Sequence, residues 1–452
     1  MLTTLADLIQ RAADALFVPW LLLLLFGTGL FLTIRYRFVQ VRRVGEAFRA
    51  MLSSAESGAA GALSPFQAFM TALSGTIGTG NIAGVATAIV SGGPGALFWI
   101  WAYGFVATTI KFTEAVLGVT WREASGTTIR SGPMYALRDG LKQPWLASTY
   151  ALVAGVAAIT TTPFTQPNSI AVVLQSQLAI PTWASGVAVG LLVWLVIVGG
   201  IGSIGKAAEK LAPLKVGLYL GGGLIVIVMF AGNIPAVLAL VFREAFSLKA
   251  TAGGALGIVV AMRYGLARGM YANEAGYGTA SVAYGTARSR RPEQQGLQAV
   301  MEVAIVSFVT STISAMTILL TGAWQSGLTS SAAVASAFEA AMPGVGGYVV
   351  ALCAFLFGYT TLIGWAFYGE QFFEYLLDRP VAHWYRWIYC VLIPFGAMSR
   401  VEVVWAWGDL MNALQIFPNI VGVIGLSGYA ARVARGHRVE AAPDGPPPER
   451  TR

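Results

Sequence analysis

Ser74-Gly75-Thr76-Ile77-Gly78-Thr79-Gly80-Asn81 interrupts an otherwise apolar run over 65–90, and Arg268-Gly269-Met270-Tyr271-Ala272-Asn273-Glu274-Ala275-Gly276-Tyr277-Gly278 interrupts another over 254–287. Glycine costs about 1 kcal/mol relative to alanine inside a helix, and unpaired backbone groups in hydrocarbon cost several kcal/mol more. A segment of this kind at bilayer depth is either buried in protein or lines a wet cavity, where its amides and carbonyls become ligands. Half-helix N-termini favour a carboxylate, and exposed carbonyls favour a small hard cation such as Na⁺. The alternative is close helix packing through small residues, which 53 glycines in 452 residues make a real competitor. Packing does not require the polar side chains of Ser74, Thr76, Thr79 and Asn81, which point around the whole helix.

The composition explains why bilayer depth is the relevant frame. Hydrophobic residues make up 56% of the chain and charged residues only 11%, against roughly 45–50% and about 25% in soluble domains. Apolar runs recur from residue 16 to residue 426, so most of this surface cannot face water. The net charge of +8 sits mainly in short loops and does not indicate nucleic acid. Cys353 and Cys390 both lie in apolar stretches, which excludes a disulfide framework or a CxxC metal site. The N-terminus lacks the basic start and cleavage site of a signal peptide, and the run Leu16 to Thr33 reads as a retained helix.

At about 20 residues per span, eleven helices are expected near 15–34, 65–90, 94–121, 145–178, 182–201, 211–231, 254–287, 296–322, 346–377, 384–398 and 404–431. The fold class is therefore an all-α polytopic membrane protein. Ser331 to Met342 is too short to cross and is expected to be an extracellular interfacial helix. Basic residues mark the cytoplasmic side. Arg35, Arg37, Arg42, Arg43 and Arg49 fill the first loop, and alternate loops after it hold most of the others. The opposite side holds Arg11, Arg243, Lys249 and Arg400. The N-terminus is then outside and the C-terminus cytoplasmic, in the cell membrane. The two interrupted spans enter from opposite sides, five helices apart, which is the arrangement of an inverted repeat with two discontinuous helices. The expected units are 1–64, an additional helix and cytoplasmic loop; 65–253, the first repeat; 254–431, the second; and 432–452, a disordered tail.

The run SGTIGTGNIAGVATAIVSGGPG from Ser74 to Gly95, with FWIWAYGFVATTIKFTE behind it, resembles the alanine or glycine:cation symporter family. GLARGMYANEAGYGTASVA from Gly265 and FGYTTLIGWAFYGEQFFEYL from Phe357 extend the likeness, which covers nearly all of residues 15–430. The resemblance implies a leucine-transporter-type fold and Na⁺-coupled import of small neutral amino acids such as alanine and glycine. It also implies a Na⁺ site built from the carbonyls of Ser74, Ile77 and Phe357 and the hydroxyls of Thr360 and Thr361. Adjacent threonines bonding back to their own helix are the competing reading. The substrate site takes Thr76, Ile77, Thr79, Gly80 and Asn81 from the first interruption and Gly269, Met270 and Asn273 from the second. Trp365, one turn after Thr361, walls it, and Gln166 looks like a further contact. Thr162-Pro163 stands where the family has Gly-Asn, and Pro167 follows Gln166, departures that bear on the local backbone and on substrate preference. The expected partners are amino acid, sodium ion and lipid, with no nucleic acid and an oligomeric state left open, a monomer being compatible.

Charges within the spans carry further expectations. Lys111 and Glu114, three apart, can pair with each other. The family usually has an aspartate where Val306 stands; Glu302, one turn earlier, either restores that carboxylate or belongs to the cytoplasmic end. Arg263, Arg268 and Glu274 either gate access or balance charge. Glu274 and Glu302 keep proton coupling open, and an uncoupled channel or sensor on the same fold is a further alternative. An intramembrane enzyme is disfavoured, since no nucleophile and base, paired aspartates or metal ligands stand out. Gly200-Ile201-Gly202-Ser203-Ile204-Gly205-Lys206 follows a spanning helix rather than a strand, and Ala207 replaces the required Ser or Thr of a phosphate loop.

Overall fold

A computed structural model describes residues 2–16, 20–53, 58–125, 128–249, 256–377 and 379–437. Among them the architecture is helical except for one antiparallel pair of short strands, Glu123–Ser125 and Thr128–Arg130. By length and composition four helices can cross a bilayer: Pro144–Leu178, Gly200–Met229, Pro292–Thr321 and Gly346–Leu376. Two bent pairs, Pro65–Thr76 with Thr79–Gly92 and Val403–Gly425 with Ser427–Ala434, qualify if each is taken as one span. Leu22–Arg35 and Thr182–Ile197 are apolar but shorter.

Several boundaries differ from expectation. The first expected span, 15–34, is a helix only over Leu22–Arg35, and a separate helix, Leu2–Leu16, precedes it and packs against Val401–Gly425. The expected helix 211–231 begins eleven residues earlier, at Gly200, because Pro213 is accommodated inside it rather than ending it. A further helix, Ile234–Ala245, occupies what reads as a loop. The chain stays helical beyond Arg432 to Ala434, and the remainder of the expected disordered tail, 438–452, lies outside the described residues.

Polarity is distributed inside out. Leu191, Leu195, Leu214, Val228, Val391 and Phe395 are each more than half exposed on the outer surface, a continuous apolar exterior that water would not tolerate. Lys111, Lys215, Glu114, Glu302 and Glu274 are buried at the centre. Charges inside a membrane fold are rare and face partners in the bundle interior.

Both interrupted helices are broken, each for a local reason. Pro65–Thr76 starts on a capping box, in which Ser64 Oγ accepts from the Gln67 amide and Gln67 Oε1 accepts from the Ser64 amide. It stops at Thr76, passes through extended Gly78 and a single tight turn at Thr79–Asn81, and resumes as Ala83–Gly92 with a bend of 60°. A Cβ on Gly78 would lie 2.7 Å from Thr361 Oγ1, so only glycine fits. The second, Gly257–Asn273, ends at left-handed Glu274 and resumes as Thr279–Gly285 after Gly276 and Gly278, both with positive φ.

The two ends of the bundle are closed differently. At one end Arg122 donates to the carbonyls of Gly285, Ala287, Ser289 and Ala60, stapling the end of the second broken helix to the segment before the first. At the other, the expected interfacial helix is Ser330–Ala341, which lies on Gly346–Leu376 and on Ala83–Gly92. Its exposed Glu339 accepts from the amides of Gly344 and Gly347, which hold this carboxyl below the usual carboxylate range.

Candidate functional site

The two breaks face each other across a small cavity of about 20 Å³, room for about one water. Its wall includes Thr76, Gly78 and Gly80 from the first break, Tyr271, Glu274 and Tyr277 from the second, and Thr161, Thr162, Gln166, Thr361, Trp365 and Asn412 from neighbouring helices. No aliphatic side chain lines it. Gln166 Oε1 accepts from the amide (3.1 Å) and hydroxyl (2.9 Å) of Thr79, which ties the break to helix Thr162–Leu178. Trp365 Nε1 donates to Glu274 Oε1 at 2.8 Å, and Thr279 Oγ1 donates to Glu274 Oε2 at 2.8 Å.

The expected substrate residues divide into two groups. Thr76, Gly80, Gln166 and Trp365 line the cavity. Ile77 and Thr79 lie just behind it, and Asn81 turns away, donating to Thr76 O at 3.1 Å. Gly269, Met270 and Asn273 lie round the helix from the cavity-facing Tyr271 and Glu274. Gly269 packs on Ile100 and Tyr103, Met270 is in the core, and Asn273 donates to Ser307 Oγ at 3.2 Å. Tyr271 faces the cavity from the last turn of the helix and Glu274 from its left-handed position just beyond the helix end, whereas Gly269, Met270 and Asn273 pack against neighbouring helices.

Ser74, Ile77, Phe357, Thr360 and Thr361 also come together, next to the cavity that Thr361 lines. Thr361 Oγ1 donates across to the carbonyls of Ser74 and Gly75, both 3.1 Å away, and Thr360 Oγ1 donates back to Leu356 O at 2.9 Å. At this point stands a residue the sequence reading did not place, Lys215. Its Nζ donates to Ser74 O (3.1 Å), Ile77 O (2.5 Å) and Thr360 Oγ1 (2.5 Å). Its signal was available, as a lone lysine in the apolar run 211–231.

The buried ion pairs are also rearranged. Lys111 pairs not with Glu114 but with Glu302, Nζ to Oε1 2.8 Å, and also donates to Thr76 Oγ1 (3.0 Å) and to the carbonyl of Asn273 (2.6 Å). Glu302 is fully buried and accepts from Thr76 Oγ1 (2.5 Å) and Tyr284 OH (2.8 Å), so it is an interior carboxylate rather than a cytoplasmic-end residue. Glu114 Oε1 accepts from the amides of Gly276 (2.9 Å) and Gly278 (3.1 Å) and from Asn419 Nδ2 (2.7 Å). One pair thus joins the two breaks, and the other acid caps the restart of the second.

A larger cavity of about 390 Å³ lies beyond Tyr271, lined by Arg263, Tyr264, Arg268 and Asp409 among others. In the wall of this larger cavity Arg268 Nη2 meets Asp409 Oδ2 at 2.6 Å, and its guanidinium lies 5.4 Å from the ring of Trp405. Tyr271 stacks near that ring, at 5.2 Å, and sits on Gly80, where a Cβ would come within 2.5 Å of the tyrosine ring.

Paired breaks in a helical bundle, meeting at a polar chamber at its centre, are the arrangement of the leucine-transporter-type fold. The solved structure "MhsT in complex with L-phenylalanine" superposes with a TM-score of 0.56, covering 83% of this chain and 100% of that one at 13% identity. The chain belongs to the sodium:alanine symporter family, whose sequence pattern matches residues 2–445. It is 35% identical over 432 residues to "Sodium/alanine symporter AgcS" of Methanococcus maripaludis, covering 93% of this chain and 95% of that one. It is 31% identical over 425 residues to "Probable sodium/glutamine symporter GlnT" of Bacillus subtilis, covering 94% and 88%. Sodium-coupled amino-acid transport is the activity of the family, and the protein is a transporter rather than an enzyme.

Proposed function

We propose that this protein imports a small neutral amino acid, alanine or glycine, together with Na⁺ by alternating access between two inverted five-helix repeats, 65–253 and 254–431. The observation that carries the reading is the small polar chamber between the two breaks, lined by Tyr271 and Trp365 among others. Glu274 offers a negative partner for the substrate ammonium. The restart of the first broken helix presents the positive end of a helix dipole to its carboxylate. Little room is left for a side chain, which favours small substrates. In this reading the basic loops face the cytoplasm, Arg122 seals that side, and the cavity lined by Arg263 and Arg268 is the outer vestibule.

The test is uptake of labelled alanine into proteoliposomes, expected to depend on an inward Na⁺ gradient and to be lost when choline replaces Na⁺. A competition panel from glycine to glutamine is expected to lose potency as the side chain grows. Uptake indifferent to Na⁺ rejects the coupling. Gln166→Leu is expected to raise KM by about ten- to a hundredfold, because it leaves the Thr79 amide and hydroxyl buried without an acceptor, at about 1–3 kcal/mol. Arg268→Ala is expected to weaken the outer closure. A cysteine placed at Thr162, in the cavity wall, should then react faster with an external thiol reagent than the same cysteine with Arg268 intact, and equal rates would remove Arg268–Asp409 from the gate.

A further inference from the structure

Lys215 lies within helix Gly200–Met229, two residues after Pro213, and its side chain enters the junction between the first broken helix and Gly346–Leu376. An ammonium has three N–H donors, and here each has an acceptor: Ser74 O, Ile77 O and Thr360 Oγ1. The Thr360 hydroxyl donates to its own helix at Leu356 O, which leaves its lone pairs for the ammonium. The Phe357 ring lies 5.4 Å from Nζ. Among the described residues Lys215 has no carboxylate partner within ion-pair distance. The acceptors are all neutral oxygens, and Ser74, Ile77 and Thr360 belong to the set that the family resemblance assigns to Na⁺.

Such a set holds one monovalent cation at a time. Two positive charges drawing on the same buried oxygens would sit within a few ångströms of each other, in a medium that screens them poorly. We propose that the Lys215 ammonium is the resident cation of this junction in the closed carrier, and that Na⁺ binds these oxygens only in exchange for it. The proposal rests on the sodium-coupling reading above. The flexible four-carbon stem allows the ammonium to retract. Pro213 supplies no N–H to the carbonyl of Glu209, which loosens the helix one turn from the lysine. Lys215 is then a positioning residue: it keeps the first broken helix and Gly346–Leu376 together when no ion is present and releases them to the ion that replaces it.

The experiment uses the full-length protein in detergent, with Na⁺-dependent thermal stabilisation as the readout and choline as the control salt. Lys215→Met removes the competitor while keeping the stem, and the Na⁺ concentration for half-maximal stabilisation is expected to fall at least tenfold. Adding Thr360→Ala is expected to reverse most of that gain, which places it at these oxygens. A folded Lys215→Met protein with unchanged or weaker Na⁺ affinity overturns the proposal. Should that variant not fold, wild-type protein labelled with ¹⁵N-lysine decides the matter. The Lys215 Nζ resonance, assigned by its absence from Lys215→Arg, is expected to shift on saturation with Na⁺, and a resonance that does not move overturns the exchange. Wild-type uptake indifferent to Na⁺ rejects the coupling reading alone, because the affinity of Lys215→Met still decides whether the ammonium and Na⁺ compete.

Discussion

Lys111→Met is expected to abolish uptake and to lower the melting temperature of the purified protein steeply. The substitution leaves Glu302, fully buried, without its cationic partner, and breaking one side of a buried pair costs about 3–5 kcal/mol. Lys111 also touches both breaks at once, through Thr76 Oγ1 and the carbonyl of Asn273. A double variant, Lys111→Met with Glu302→Leu, separates the two roles. Removing both charges is expected to recover most of the thermal stability, because apolar replacement of a buried pair is often neutral or favourable. Uptake is expected to stay lost, because the polar link from Thr76 to the Asn273 carbonyl is then gone. Wild-type melting and uptake in Lys111→Met would show that the pair is dispensable. Recovery of uptake in the double variant would reduce its role to charge balance.

Glu114→Ala is the second large effect, and it acts on one break only. The Glu114 carboxyl accepts the amides of Gly276 and Gly278 and the Asn419 side chain, so truncation leaves two buried backbone donors of the unwound segment unpaired. A buried donor left unpaired costs about 1–3 kcal/mol, and such costs are not strictly additive, which sets the expected loss at about 2–5 kcal/mol. Asn419→Ala removes one of the three donors and leaves both amides satisfied, so its expected loss is about 1–2 kcal/mol. Thermal denaturation of the two variants side by side checks the order. Equal losses would mean that Asn419, not the capped backbone, carries the stability.

The breaks were legible in the sequence because their cause is local. Glycine and polar side chains at Gly78 to Asn81 and at Gly276 to Gly278 specify an unwound backbone whatever surrounds them. Partners across helices were not legible. Lys111 and Glu114 are three apart on one helix, and local spacing pairs them, yet each turns to a different break. Glu302 looked peripheral because Arg290 and Arg291 are near it in the chain, whereas the helix Pro292–Val303 carries it inward to Thr76 and Tyr284. Of the expected substrate residues, Thr76, Gly80, Gln166 and Trp365 line the chamber, whereas Gly269, Met270 and Asn273 pack elsewhere, because contacts such as that of Gly269 with Ile100 and Tyr103 set the rotation of Gly257–Asn273. The helix Leu2–Leu16 was missed because Asp7, Arg11 and Asp14 break up its hydrophobic run, so it does not read as a span.

The smallness of the central chamber bears on the unloaded half of the transport cycle. A carrier that must reorient without cargo risks passing hydrated ions on each return stroke, which would dissipate the gradient it lives on. A compartment with the volume of about one water leaves a migrating Na⁺ no room for a hydration shell. On the proposed transport reading, the gradient is then drawn down when an amino acid has pushed the walls apart.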